Sequence, residues 1–186
     1  VTQYSGKFIS QKTRPYTGTD REICQYEIVV RNNVRSIVAG LPVTRDGDFL
    51  INRQFRIPLG RYVFENTAGL VDEWETLEEA MVRELAEETG YYSDTLHHVA
   101  QVPTSSWLTD ELVDCFILLN AVKSGESKPE NSESIETFLV KDDEMDEWFL
   151  KESQAGNLID PKVMMLVSYY RRWIKDTIHI TDIIEK

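Results

Sequence analysis

The sequence predicts an α/β fold with a mixed β-sheet between helices, and three observations indicate it. Short runs of β-branched and aromatic residues, parted by turn residues, recur along the chain and are typical of strands. One capped amphipathic segment interrupts these runs as a helix, and two more helical segments follow them. The 186 residues suit one domain with a sizeable core, and no stretch has the length and apolarity of a membrane span.

The elements are predicted in the following order. Before the first helix, strands are expected at 26–31, 36–44, 49–57 and 61–65. The helix covers 77–89, and strands follow at 96–102, 112–122 and 135–140 around a polar loop at 123–134. Two helices end the chain, at 143–153 and 161–175, the second with Pro161 at a favourable first-turn position.

The first helix has clear signals at both ends. Thr76 is a good N-cap, and Glu79 three residues later completes a capping box. Gly90 stands where a helix commonly ends in a left-handed turn. These signals predict a helix from Leu77 to Thr89.

Three glutamates share one face of this helix, because Glu84, Glu87 and Glu88 are spaced i, i+3 and i+4. They repel one another, and they lie near the helix C-terminus, where the backbone dipole disfavours negative charge. A cation among them relieves both penalties, and carboxylate oxygens favour Mg²⁺ or Mn²⁺ over zinc. The plainer interpretation of such a run is a solvated acidic helix face.

The helix belongs to a longer motif that runs from Gly69 to Tyr91. It reads G-x5-E-x7-R-E-U-x-E-E-x-G-U, where U is an apolar residue, and each fixed position is filled. A match of this kind should arise by chance in roughly a few chains per million. The motif is the Nudix box, and the chain resembles a Nudix hydrolase. The resemblance implies a Nudix α/β/α sandwich with a mixed β-sheet, preceded by N-terminal strands, and metal-dependent cleavage of a nucleoside diphosphate linked to another group.

The resemblance also implies roles for residues of the box. The match to Glu75 pairs with Arg83, and this pair ties the loop to the helix. The metal ligands implied by the resemblance are Glu84 and Glu88, helped by Glu87, and the carbonyl oxygen of Ala68.

Segments that flank the box narrow the substrate class. Residues 53–58 and 65–72 resemble "QFR.P … E.PAGL.D", a pattern of ADP-ribose pyrophosphatases and other nucleoside diphosphate sugar hydrolases. Residues 26–31 resemble that subfamily's W-E-x-V-x-R, in which an aromatic residue stacks on the base. Two positions depart from the pattern: Thr67 replaces the proline of "PAG", and Ser106 stands where ADP-ribose pyrophosphatases often carry a proline. These departures leave room for ADP-glucose, GDP-mannose and similar sugars.

Hydrolysis also needs a proton acceptor and groups that hold the substrate. Glu133 best matches the subfamily's E-x-I-E pattern in the loop after the helix, and Glu111 and Glu130 are rivals for the general base. Arg56 is a candidate phosphate clamp, because a guanidinium binds phosphate oxygens in a two-pronged way, and Tyr26 is a candidate base-stacking residue. The plainer interpretations are a solvated loop glutamate, a surface arginine and an ordinary strand aromatic.

Composition and resemblance together indicate the partners. The formal net charge of −12 argues against nucleic acid as the main partner, because a phosphate backbone requires a basic surface. The two cysteines lack metal-ligand spacing, and the N-terminus shows no signal-peptide pattern, so we expect a cytoplasmic protein without a membrane partner. The expected partner is a small nucleotide sugar. The subfamily resemblance implies a homodimer, with residues 1–40 as an N-terminal strand region that can be exchanged and 41–186 as the Nudix hydrolase domain.

Two other functions stay open. One is a hydrolase of dinucleoside polyphosphates or nucleoside triphosphates, although the strands before the box favour nucleotide sugars. The other is a non-catalytic Nudix-like module that senses ADP-ribose. Such modules usually lose glutamates of the box, whereas this box is complete.

Overall fold

The computed structural model describes residues 1–128 and 134–175. Within these ranges the chain forms a small N-terminal sheet, a larger mixed sheet and three α-helices. The predicted α/β class with a mixed sheet is therefore confirmed.

The N-terminal sheet is an antiparallel meander that the sequence predicted only in its last part. Its strands are β1 (Thr2–Ser5), β2 (Ile9–Thr17) and β3 (Ile23–Arg31). Most of its side chains are exposed or half-buried, although Ser10 and Ile28 are buried. It meets the rest of the chain through the loop after β9, where the Val29 amide donates to the Leu108 carbonyl at 2.9 Å.

The larger sheet is built around two parallel central strands, β4 (Ile37–Thr44) and β10 (Leu112–Lys123). The run 38–43 of β4 is buried without interruption, as expected for a strand covered on both faces. The other strands in the described ranges are β5 (Phe49–Arg56), β6 (Arg61–Glu65), β7 (Thr67–Leu70), β8 (Tyr91–Tyr92), β9 (Thr95–Pro103), β11 (Ile135–Val140) and β12 (Leu158–Ile159). Strands β7 and β5 pair antiparallel with β4 on the edge away from β10, and β5 also pairs with β6 and β11.

Helix α1 (Leu77–Thr89) has the predicted bounds. Its capping box is complete: the Thr76 hydroxyl accepts from the Glu79 amide at 3.1 Å, and Glu79 accepts from the Thr76 amide at 2.8 Å. Gly90 ends the helix in the left-handed region, at φ 70°. Met81 and Leu85 are fully buried and pack with Val38 of β4 on one face of the sheet.

The other two helices cover the opposite face. Helix α2 (Met145–Gln154) follows a short 3-10 turn, so it starts slightly later than predicted. Helix α3 (Pro161–Tyr169) continues as a π-helical turn over Tyr170–Ile174. Met145 and Leu166 pack with Phe49 and the inward face of β4, which gives three layers: α1, the sheet, and α2 with α3.

Several polar or reactive side chains have structural explanations. His98 of β9 lies 3.0 Å from the Asp114 carboxylate of the neighbouring strand β10, which gives its ring a hydrogen-bond partner. Cys24 and Cys115 are both free thiols, and burial raises the pKa of Cys115 to about 11, which keeps that thiol protonated.

No helix in the described ranges is long and apolar enough to cross a membrane.

Candidate active site

Arg83 of α1 is the centre of the site, because its single guanidinium binds three carboxylates. Nε and Nη2 donate to the two oxygens of Glu75 at 2.7 and 3.0 Å. Nη1 donates to Glu84 at 2.8 Å and to Glu87 at 3.0 Å. Nη2 also donates to the Leu70 carbonyl at 2.9 Å, so the side chain joins β7, the following loop and the helix. The expected Glu75–Arg83 pair is thus observed.

Two members of this network, Glu75 and Arg83, have shifted pKa values. The hydrogen bonds from Arg83 hold the pKa of Glu75 below its usual range, although partial burial opposes them. The hydrogen bond to Glu75 is also the main reason that the pKa of Arg83 rises well above its ordinary value. Both groups are therefore charged at neutral pH, and Glu75 also accepts from the Asp72 amide at 3.1 Å, which closes the loop.

Gly69 of β7 explains why the motif begins with a glycine. A Cβ atom built on Gly69 would lie 1.9 Å from Oε1 of Glu84 and 2.0 Å from its carboxyl carbon. The carboxylate of Glu84 therefore packs directly on the backbone of β7, beside Ala68, and any larger side chain at position 69 would displace it.

Glu88 is held by a residue that the sequence analysis did not single out. Glu88 is buried, with 7% of its surface exposed, and Nδ2 of Asn52 donates to its carboxylate at 2.7 Å. The hydroxyl of Thr137 in turn donates to the Asn52 carbonyl oxygen at 2.8 Å. The available signal was an asparagine directly after the buried apolar run 49–51 of β5, because a buried amide needs a partner.

The chemistry of these side chains fits a hard divalent cation. Glu84, Glu87, Glu88 and the Ala68 carbonyl offer oxygen atoms, the ligands that Mg²⁺ and Mn²⁺ prefer. Among the described residues, no three acidic, histidine or cysteine side chains are grouped closely enough to hold an ion. Arg83 donates to one oxygen of Glu84 and to one oxygen of Glu87. Because a carboxylate has two oxygens with several acceptor positions, metal binding does not require these glutamates to lose their contacts with Arg83.

A cleft of about 350 Å³ adjoins β7. Arg56 and Glu65 in its wall form a two-pronged ion pair, at 2.7 and 2.5 Å. Arg31 and Glu111 form a second pair at 2.7 Å. Ala68 lines the same cleft, so the structure brings the candidate clamp Arg56, the candidate base Glu111 and the expected ligand Ala68 to one place.

Comparison with known proteins identifies the family. Residues 34–166 match the family model of the NUDIX domain, which is more than half of the chain. The chain belongs to the Nudix family. It is 32% identical over 137 residues to an uncharacterized Nudix hydrolase of Schizosaccharomyces pombe, covering 69% of this chain and 65% of that protein.

Two further proteins are similar to this Nudix chain. An ADP-ribose pyrophosphatase of Bacillus subtilis is 34% identical over 114 residues, covering 61% of this chain and 60% of that protein. The matched part is therefore less than two thirds of the length of either curated relative. The crystal structure of an ADP compounds hydrolase superposes with a TM-score of 0.73 at 15% identity, covering 95% of this chain and 92% of that one. This likeness confirms the expected Nudix fold with its mixed sheet.

Other predicted site residues lie away from the Nudix box or outside the described ranges. Tyr26 is not among the described residues that line the cleft. Its ring is 44% exposed, meets Tyr16 edge-on at 6.2 Å between centroids, and its hydroxyl donates to the Trp107 carbonyl at 2.8 Å. Glu133, the preferred base, and Glu130 lie outside the described residues.

Proposed function

We propose that this Nudix protein hydrolyses the pyrophosphate bond of nucleoside diphosphate sugars, such as ADP-ribose, ADP-glucose or GDP-mannose, to a nucleoside monophosphate and a sugar phosphate. The observation that carries the proposal is the Arg83 network, which holds Glu84 and Glu87 at the strand that also borders the cleft. The ADP-ribose pyrophosphatase among its relatives supports the substrate class.

We propose Mg²⁺, or Mn²⁺ in its place, as the cofactor, held by Glu84, Glu87, Glu88 and the carbonyl oxygen of Ala68. A bound ion of this kind polarises phosphate oxygens and lowers the pKa of a bound water. The protein contributes the orientation of these ligands. Arg83 restrains Glu84 and Glu87, and Asn52 restrains Glu88 through a 2.7 Å hydrogen bond.

We propose that Arg56 contacts a substrate phosphate and that Tyr26 stacks on the base. Glu65 accepts two hydrogen bonds from Arg56, and these bonds fix the direction of the Arg56 guanidinium in the cleft wall. Tyr26 lies on the N-terminal sheet, so its contact with the base requires substrate to extend beyond the cleft or to lie in the site of a second copy. Alanine at either position is expected to raise KM, which steady-state kinetics measures.

We propose Glu133 as the general base. Glu111, its rival, is bound by Arg31 at 2.7 Å, and this pairing favours a structural role for Glu111 in the cleft wall. The helix glutamates are expected at the metal, so a carboxylate from outside α1 is better suited to take a proton from water.

We also propose a cytoplasmic homodimer. Large apolar side chains of the N-terminal region, within residues 1–40, have little cover: Tyr4, Phe8 and Ile23 are 63%, 67% and 76% exposed. Such surfaces commonly mark an interface, and a second copy of this chain is the proposed cover. The free thiols Cys24 and Cys115 support a reducing compartment.

A substrate panel tests the proposed function and its alternatives. The protein is incubated with ADP-ribose, ADP-glucose, GDP-mannose, UDP-glucose, diadenosine polyphosphates and nucleoside triphosphates, each with Mg²⁺ or Mn²⁺, and products are separated by chromatography. Preferential cleavage of a nucleotide sugar is expected. Faster cleavage of triphosphates or diadenosine polyphosphates would favour the second enzyme class, and ADP-ribose binding without turnover would favour a sensor.

A further inference from the structure

Asn66, between β6 and β7, has a buried amide without a visible structural purpose. Its side chain belongs to a residue that is only 4% exposed, yet neither Nδ2 nor Oδ1 has a hydrogen-bond partner among the described residues. Leaving a buried polar group unpaired is costly, and native proteins rarely do so without a reason. Asn66 also lines the cleft, so an occupant of the cleft can supply the missing partners.

The position of Asn66 places it close to the expected chemistry. Thr67 and Gly69 of β7 face α1, since Thr67 lies 3.4 Å from Asn52, which holds Glu88, and Gly69 packs against Glu84. Asn66 directly precedes β7 and lies two residues before Ala68, and both residues line the cleft. Two residues of extended chain span at most about 7 Å. Asn66 therefore lies within about 7 Å of the expected metal ligand Ala68, a distance comparable to the size of one sugar ring.

The carboxamide selects the chemistry of its ligand. It presents one acceptor and two donor hydrogens, so a full partner must both donate and accept. An ionised phosphate only accepts and would leave the Asn66 oxygen unpaired. A nucleobase edge does both, but none of the described residues that line the cleft is aromatic, and base recognition usually adds stacking. Two neighbouring hydroxyls both donate and accept, whichever way the amide is turned.

We propose that Asn66 binds a pair of vicinal hydroxyls of the substrate's sugar and is a specificity-determining residue of this site. The proposal rests on the proposed function and refines it, because it names the group that the cleft recognises beside the phosphates. Two parts of a nucleotide sugar carry such hydroxyls, the ribose of the nucleoside and the distal sugar. The shared chemistry is the vicinal diol, and the two sources are separable by experiment.

Binding of the two products, measured by calorimetry in Mg²⁺ buffer, tests the proposal without requiring turnover. AMP carries the nucleoside ribose, and ribose 5-phosphate carries the distal sugar. Asn66→Leu, which removes both donor and acceptor, is expected to weaken one of the two at least about tenfold. Asn66→Asp has a side chain of the same size but lacks the two N–H donors, and it is the second variant to test if Asn66→Leu fails to fold. Asn157→Leu is the matched control, since Asn157 bonds Glu152 away from the cleft and should leave both affinities unchanged.

Urea denaturation supplies a second readout. Replacing an asparagine with a structural role lowers the stability of the protein. Asn66→Leu instead removes two unpaired buried atoms, so the urea denaturation midpoint is expected to stay the same or rise. Weaker AMP binding assigns the diol to the nucleoside, and weaker ribose 5-phosphate binding assigns it to the distal sugar. Unchanged binding of both products, or no binding of either by the parent protein, would overturn the proposal, even if nucleotide sugars are hydrolysed. A parent that binds one product through Asn66 but cleaves no nucleotide sugar would instead overturn the proposed function.

Discussion

Arg83 is the residue with the most consequences for the site, because it binds three carboxylates and the carbonyl of Leu70 at once. Its pair with Glu75 could be predicted, because the resemblance to the Nudix box implies it. The contacts of Asn52 and Asn66 could not, because they depend on which strands become neighbours in the folded chain. A buried asparagine is visible in sequence only as a polar residue in an apolar run, and Asn66 does not have even that signal.

Three glutamine substitutions separate the candidates for the general base. Glu133→Gln is expected to lower kcat strongly with little change in KM, because it removes a proton acceptor but no binding group. Glu111→Gln is expected to do less, since Glu111 is bound by Arg31. If Glu111→Gln or Glu130→Gln were the crippling change and Glu133→Gln mild, the base would be misassigned, although the reaction class would stand.

At the scale of elements, the contact between β7 and α1 determines where Glu84 lies. Gly69→Ala is expected to reduce kcat by about tenfold or more, because its methyl group would occupy the place of the Glu84 carboxylate. The fold should survive, since the flexible glutamate can move. Gly125→Ala is the matched control, because a Cβ atom there meets nothing within 4 Å. Equal kcat for both variants would show that the position of Glu84 does not matter.

The stability that the loop before α1 contributes should depend on pH, because Glu75 titrates. Its folded-state pKa is lowered, so its contribution to stability is present above the unfolded pKa and is lost as pH falls through the folded value. The affected window lies below about pH 4.3, the ordinary glutamate value. Urea denaturation should show Glu75→Gln less stable than the parent at neutral pH, with a smaller difference near about pH 3. Glu73→Gln, at an exposed position, is the control, and a Glu75→Gln difference equal at both pH values would contradict the assignment.

Elements with strong local signals were predicted well. Helix α1 has the predicted bounds because the capping box and Gly90 fix both ends within the chain itself. Strands β1 and β2 were missed, because exposure on both faces leaves no alternation of apolar and polar residues to detect. Strand β7 is only four residues long and pairs with β4, which sequence alone does not reveal.

At the scale of the whole molecule, the proposed homodimer makes a prediction about the exposed N-terminal sheet. The proposed homodimer should have about twice the 21.6 kDa mass of one chain by light scattering during size-exclusion chromatography. Phe8→Ser, which replaces a 67% exposed phenylalanine of the N-terminal region, should weaken association, whereas Trp74→Ser, in the loop before α1, should not. A monomeric parent at micromolar concentrations would contradict the homodimer.

The most direct test of metal-dependent nucleotide-sugar hydrolysis compares three proteins on one substrate. The parent, Glu88→Gln and the control Glu78→Gln, exposed in the first turn of α1, are incubated with ADP-ribose and Mg²⁺, and AMP and ribose 5-phosphate are quantified. The parent and Glu78→Gln should release both products equally fast, EDTA should abolish release, and Glu88→Gln should lower kcat by about a hundredfold or more, the scale of losing a major electrostatic stabiliser. Near-normal release by Glu88→Gln with unchanged Mg²⁺ dependence, or no release by the parent, would contradict the proposal.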